Sequence, residues 1–68
     1  GLGDYQKAIT DYGRAIGIRP DYAASYFNRA VAYSRIGNAK LAIQDLQTAA
    51  KLDDERAKSF LKSKGINR

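Results

Sequence analysis

Apolar and small residues recur every three or four positions between residues 26 and 52, which is the period of an α-helix. They fall into two groups, Tyr26, Ala30 and Tyr33 in the first, and Ala42, Ile43, Leu46, Ala49 and Leu52 in the second. Gly37 and Asn38 separate the groups. Glycine favours the left-handed backbone at a helix end, and asparagine caps a following helix through its side-chain oxygen. The pattern predicts two short amphipathic helices joined by a tight turn.

The same pattern begins earlier in the chain at a fixed offset. Gly3 and Asp4 precede Gly37 and Asn38 by 37 − 3 = 34 residues. Six further positions match at this offset: Ala8 with Ala42, Ile9 with Ile43, Asp11 with Asp45, Ala15 with Ala49, Ala23 with Ala57, and Ser25 with Ser59. Self-similarity at a fixed period of this length is the signature of a repeat architecture.

The period, the helical pattern and the residue types together resemble the tetratricopeptide repeat (TPR) family. The resemblance implies an all-α fold in which antiparallel helical hairpins stack as a short right-handed superhelix. Residues 1–20 would be the turn and second helix of a truncated repeat, 21–54 a complete repeat, and 55–68 a capping helix and tail. The chain departs from the family at Asp54, where the family usually has proline. The preceding unit keeps that proline as Pro20.

Several residues predict where the helices begin and end. Pro20 should end the first helix, because the residue before a proline avoids the helical region. Asp21 is the expected N-cap of a helix over residues 22–36. Asp53, Asp54 and Glu55 place negative charge at the start of the last helix. The expected apolar stripe of that helix consists of Ala57, Phe60 and Leu61.

The amino-acid composition limits the catalytic and metal-binding functions that the chain can have. The chain has 68 residues and contains no cysteine and no histidine, so disulfides, thiolate metal sites and histidine-based catalysis are excluded. The sequence therefore predicts no enzyme, no metal site and no cofactor. No apolar run approaches the roughly 20 residues of a membrane span. We expect a soluble protein without a membrane partner, with the cytoplasm favoured and the compartment otherwise open.

The net charge of +5 arises near the C-terminus, where five basic residues occur without an acid: Arg56, Lys58, Lys62, Lys64 and Arg68. The simplest interpretation is a solvated helix whose cations complement its own dipole. The alternatives are an acidic protein partner and an anionic polymer. Nucleic acid is the weaker alternative, because the tyrosines are not interleaved with the cations.

A binding function fits the sequence better than catalysis. The resemblance implies that the first helices of successive repeats line a concave groove, which holds an extended peptide or a partner's helix. On the helix over residues 22–36, the face opposite the packing stripe carries Ala24, Phe27, Asn28, Val31 and Arg35. Burial of Phe27 and Val31 against a neighbouring chain or the capping helix is the alternative. A purely structural segment of a longer array is the alternative for the whole chain.

One stretch is similar to the chaperone-binding members of the family, in which a groove asparagine helps to clamp a partner's C-terminal carboxylate. Asn28 falls on that asparagine, Lys58 on a clamp lysine, and Lys62 on a clamp arginine. Cations and an amide that converge on a carboxylate form charge-assisted hydrogen bonds. The other clamp residues belong to the first helix that the truncated repeat lacks, so only part of such a site is expected. The alternative is that these residues are ordinary groove and surface positions.

The truncated repeat also predicts self-association. Its helix carries Tyr5, Ile9, Tyr12 and Ile16 and lacks the helix that would normally precede it. An uncovered apolar face of this kind marks an association surface. Two compatible explanations follow: a fragment of a longer array, and a homo-oligomer in which a second copy completes the stack, for example by exchange of helices.

Overall fold

The computed structural model describes residues 1–65, apart from the side chain of Leu2. Within this range the chain forms four helices and no strand: α1 (Leu2–Ile18), α2 (Ala23–Arg35), α3 (Ala39–Lys51) and α4 (Glu55–Ser63). Each helix packs against the next one along the chain. The all-α stack of hairpins that the repeat predicted is confirmed. The predicted tail at residues 66–68 lies outside the described residues.

The turn between α2 and α3 forms at the predicted residues. Gly37 has a φ of +82°, a left-handed conformation that glycine adopts without a steric penalty. Its N–H donates to Ser34 O at 3.1 Å, and the Asn38 N–H donates to Tyr33 O at 2.9 Å. This pair of bonds is a Schellman motif. The Asn38 side-chain oxygen accepts from Leu41 N at 3.2 Å, which confirms the predicted cap of α3.

The turn between α3 and α4 has the same geometry with different residues. Asp53 has a φ of +72°, and its N–H donates to Ala50 O at 2.9 Å. The Asp54 N–H donates to Ala49 O at 2.9 Å, and its carboxylate accepts from Ala57 N at 3.0 Å. A proline at position 54 could form neither bond. Asp54, the residue that departs from the family pattern, therefore closes the end of α3 and caps the start of α4.

Two predictions about helix starts are wrong. Asp21 does not cap α2, since Tyr22 is the N-cap residue and no side chain caps this helix. The Tyr22 N–H donates to Arg19 O at 3.1 Å, and this turn delays the helix start by one residue. Gly3 and Asp4 do not form a turn before the helix, because both are already helical residues at the start of α1. The turn at Gly37 differs because it closes onto carbonyls of the preceding helix α2.

Small residues make the core. Six buried residues form one cluster, Ala30, Ala42, Leu46, Ala49, Ala57 and Leu61. Alanines at the crossing points let the helix axes approach closely. Larger side chains pack around this cluster while staying half-buried, namely Tyr26, Phe27 and Tyr33. The core is therefore thin, as a chain of this length implies.

An ion pair that the sequence did not predict links α2 to α3. The Arg29 guanidinium donates from Nε to Asp45 Oδ2 at 2.7 Å and from Nη2 to Asp45 Oδ1 at 2.8 Å. The Asp45 side chain is 8% exposed and that of Arg29 is 22% exposed. The rings of Tyr26 and Tyr33 lie 6.0 and 5.7 Å from the guanidinium carbon. The hydrogen bonds to Asp45 raise the pKa of Arg29 against the opposing effect of burial.

Candidate functional site

The candidate site exists because α4 is shorter than α2. Ala57 and Leu61 bury one face of α4, and the helix ends at Ser63. At the 34-residue offset Ser63 corresponds to Arg29, since 63 − 34 = 29. The register therefore leaves residues 30–35 of α2 without a counterpart on α4. Among residues 1–65, the surface of α2 and α3 beside that stretch stays open.

This opening is a groove of about 600 Å³ between α2, α3 and α4. Its lining comes from three helices and their flanking turns: Phe27, Ala30, Val31, Ser34, Arg35, Gly37, Ala39, Ala42, Ile43, Leu46, Phe60 and Lys64. Most of these side chains are apolar, two are cationic and none is acidic. We call this surface the α2–α4 groove.

The two cations give the groove a positive charge. Arg35 is exposed, and within residues 1–65 no ion pair occupies its guanidinium. The Lys64 ammonium lies 5.7 Å from the centre of the Phe60 ring. An apolar surface with cations and no acid in its lining favours a ligand that carries both an apolar group and a carboxylate.

Three of the predicted groove residues lie in this lining: Phe27, Val31 and Arg35. Phe27 is half-buried and packs against the core, and the Arg56 guanidinium carbon lies 4.1 Å from the centre of its ring. Phe27 therefore packs against the core and also lines the groove. Val31 is 41% exposed, so much of its side chain is open to a ligand.

The other four predicted residues, Ala24, Asn28, Lys58 and Lys62, are not among those that line the groove. The Lys58 ammonium lies 2.8 Å from Asp53 Oδ1 and 3.4 Å from Glu55 Oε2. The hydrogen bond with Asp53 raises the pKa of Lys58 and lowers that of Asp53. Lys58 would have to leave these carboxylates to join a clamp. The carboxylate clamp stays a prediction.

The sequence interpretation missed Phe60 and Lys64 as groove residues. Phe60 was expected in the apolar stripe of α4 together with Ala57 and Leu61, and in the structure it is 41% exposed and lines the groove. The physical reason is that α4 has only nine residues and packs mainly on α3, so the i and i+4 pair Ala57 and Leu61 accounts for its buried residues. Gly65, a residue type that commonly follows a helix C-terminus, was the available signal that this end would be short.

The residues predicted for self-association lie on α1, and each is half-buried: Tyr5, Ile9, Tyr12 and Ile16. Helix α1 packs against α2, so part of this surface is covered within one chain. Ile18, at the end of the same helix, is 80% exposed. Self-association through α1 stays a prediction.

In the described part of the chain, each helix is too short or too polar to span a lipid bilayer.

Comparison with known proteins identifies related sequences. The family described as TPR repeat matches residues 2–37, and the family described as tetratricopeptide repeat matches residues 23–56. The chain is similar to small glutamine-rich tetratricopeptide repeat-containing protein 2 of Mycosarcoma maydis, with 40% identity over 57 residues, which is 84% of this chain and 16% of the relative. Tetratricopeptide repeat protein 36 of Mus musculus is 36% identical over 61 residues, or 90% of this chain and 33% of the relative.

DnaJ homolog subfamily C member 7 of Mus musculus is 34% identical over 59 residues, which is 87% of this chain and 12% of the relative. The chain thus spans a third or less of the length of each of these three proteins. No solved structure matches the chain.

Proposed function

The chain belongs to the tetratricopeptide repeat family of protein-interaction scaffolds, and we propose that it binds an acidic peptide or partner helix in the α2–α4 groove. The observation that carries the proposal is the composition of the groove lining, which is mostly apolar, includes two cations and contains no acid. Members of this family generally work by binding protein partners and not by catalysis. The four stacked helices and both family matches agree on a fold of stacked helical hairpins.

A ligand would use the two kinds of surface in different ways. One apolar side chain would pack between Val31, Ile43 and Phe60, which come from three different helices. Burial of one such side chain stabilises a complex by about 1.5–3 kcal/mol. A carboxylate beside it would face Arg35 and Lys64. Because both cations are exposed, each adds only about 0.2–1 kcal/mol.

The carboxylate can come from an acidic side chain or from the C-terminus of the partner. Both sources present the same two oxygens, and the same groove cations would recognise them. Matched peptides that differ only in a free or amidated C-terminus separate the two sources.

The test uses fluorescein-labelled hexapeptides that combine leucine with glutamate, in free-acid and amidated forms, and a matched set with lysine in place of glutamate. Fluorescence anisotropy should show binding of the acidic set and none of the lysine set. Val31→Glu and Arg35→Glu should each weaken binding about fivefold to tenfold, with helix content unchanged by circular dichroism. Lys62→Glu is the control, since Lys62 is an exposed cation outside the groove lining. Equal binding by the Val31→Glu variant would refute the groove.

The same peptides discriminate the carboxylate clamp. A clamp requires Asn28 and Lys62, so Asn28→Ala with Lys62→Glu would weaken binding of the free-acid peptides and spare the amidated ones. The groove proposal expects that double variant to bind as the parent chain does. A steep fall in binding with added salt, shared by polyanions such as heparin, would instead favour an anionic polymer.

A further inference from the structure

The aromatic ring of Phe27 contacts the core, the α2–α4 groove and a cation from α4. Phe27 packs against the buried cluster and lines the groove. The guanidinium carbon of Arg56 lies over its ring, 4.1 Å from the centre. Within residues 1–65 this is the shortest of five cation–π distances, since the others range from 5.0 to 6.0 Å. Arg56 therefore acts on the groove through a ring that forms part of its wall.

The carboxylate of Asp54 holds the Arg56 guanidinium in this place. Arg56 donates from Nη2 to Asp54 Oδ2 at 2.9 Å and from Nε to Asp54 Oδ1 at 3.4 Å. Asp54 is itself fixed, because its side chain is 8% exposed and accepts from Ala57 N at 3.0 Å. A carboxylate that is anchored in this way can orient a planar guanidinium through two hydrogen bonds. The cap of α4 is thus connected to the wall of the groove by two side chains.

The preceding link of the chain forms without such a connection. The counterparts of Asp54 and Arg56 in that link are Pro20 and Tyr22, since 54 − 34 = 20 and 56 − 34 = 22. A proline and a tyrosine supply neither the carboxylate nor the cation. Helix α2 nevertheless begins directly after that link, at Ala23, without a side-chain cap. The pairing of Asp54 with Arg56 is therefore more than a helix start requires, and its further contact is the ring of Phe27.

We propose that Asp54 and Arg56 are positioning residues of the α2–α4 groove, which fix the Phe27 ring and thereby set the size of the apolar side chain that the groove accepts. Neither residue is among those that line the groove. A wall residue recognises the size of a ligand group only when neighbouring side chains hold its own conformation. The inference rests on the function proposed above, because the groove has a selectivity only if it binds a ligand.

Loss of the guanidinium would leave one side of the Phe27 ring without a neighbour. The ring is half-buried, so the core cluster alone does not enclose it. It would then tilt toward the space that Arg56 had filled, and the groove would widen at this wall. A gap of about 0.5–1 Å forfeits a quarter to a half of the dispersion energy of a contact. A leucine of the ligand would lose more by this than an alanine, so the groove would select less well between them.

The test uses two fluorescein-labelled hexapeptides of glutamate and glycine that differ in one residue, leucine or alanine. The parent chain should bind the leucine peptide about tenfold more tightly by fluorescence anisotropy. Arg56→Gln and Asp54→Asn should each lower this ratio to about threefold to fivefold, and together no further, because they break one connection. Asparagine still caps α4, and Arg56→Lys should restore most of the ratio. Asp53→Asn is the matched control, since it removes only the exposed pair with Lys58 and should leave the ratio unchanged.

The ratio of the two affinities does not depend on the folded fraction, so variants that only destabilised the chain would keep it at about tenfold and overturn the proposal.

A second measurement needs no ligand. In proton nuclear magnetic resonance spectra, the ring current of Phe27 should move the δ-methylene signals of Arg56 upfield of those of Arg35, and Asp54→Asn should remove most of this difference. Arg56 signals that stayed upfield in Asp54→Asn would overturn the role of Asp54. If the parent chain bound neither peptide, the proposed function and the selectivity would be refuted together, whereas the proton signals would show separately whether Asp54 and Arg56 fix the ring.

Discussion

The ion pair between Arg29 and Asp45 leads to a sharp prediction for Asp45→Asn. Asparagine has nearly the same shape as aspartate, so the change removes the charge and one acceptor without opening a cavity. The side chain at position 45 is 8% exposed, which leaves water little access to replace the lost acceptor. The guanidinium of Arg29 would remain beside it with only one hydrogen bond on this side.

The size of the effect follows from the two hydrogen bonds. A hydrogen bond to a charged group contributes about 1.5–3 kcal/mol, and leaving one partner of a buried pair alone costs about 3–5 kcal/mol. Arg29 is 22% exposed and can recover some hydration, so we expect a loss near the lower values, about 2–3 kcal/mol. A chain of this length has a free energy of unfolding of only about 3–10 kcal/mol. The Tm should therefore fall by about 10–20 °C.

Circular dichroism at increasing temperature and in urea measures this loss. Asp11→Asn is the matched control, because it makes the same change at the same register on α1, where the side chain is exposed. That variant should change stability by less than about 0.5 kcal/mol. If Asp45→Asn and Asp11→Asn lowered the Tm equally, the ion pair would contribute nothing to the fold. Arg29→Met combined with Asp45→Leu should recover at least half of the loss, since no unpaired charge remains.

Two further predictions concern the link between α3 and α4. Asp53→Gly should raise the free energy of unfolding by about 0.5–1 kcal/mol, because glycine adopts the φ of +72° without steric cost and the exposed pair with Lys58 contributes little. A lower urea midpoint than the parent chain would contradict this, and Asp21→Gly in the preceding link is the control. The second prediction concerns the pKa of Asp54, which is lowered first by the Arg56 hydrogen bond and also by the Ala57 N–H. Because the folded pKa lies below the ordinary value of 3.8, this stabilisation should be complete above about pH 5 and be lost as the pH falls through the folded pKa. Asp54→Asn should lower the urea midpoint at pH 7 and converge with the parent chain at pH 2, and a constant difference between the two would refute the linkage.

The hairpin of α2 and α3 could be predicted from sequence because its signals are local. Gly37 and Asn38 act through backbone conformation and a cap within four residues, and both work as expected. The same signals at Gly3 and Asp4 predicted a turn that does not form. A Schellman turn needs the carbonyls of a preceding helix, which α2 supplies to Gly37 and Asn38, whereas Gly3 and Asp4 lie inside the first turn of α1.

The groove was harder to predict because it depends on where one helix ends relative to another. The periodic pattern placed Phe60 in the apolar stripe of α4, whereas the length of α4 decides that Phe60 lines an open groove. The pair of Arg29 and Asp45 was missed for a related reason. Its partners are 16 residues apart, and only the packing of α2 on α3 brings them together. Val31 and Arg35 were found because the helical period alone places them on the groove face.

The short α4 also sets how tightly a single groove can hold a partner. Helix α2 has 13 residues and α4 has nine, a difference of one helical turn or about 6 Å along the axis. An opening of that length accepts one or two side chains, so we expect weak and rapidly reversible complexes. Tight binding would then require a second attachment point on the same partner, which raises its effective concentration at the groove. In a protein with several such units, avidity and not the affinity of any one unit would decide which partners are retained.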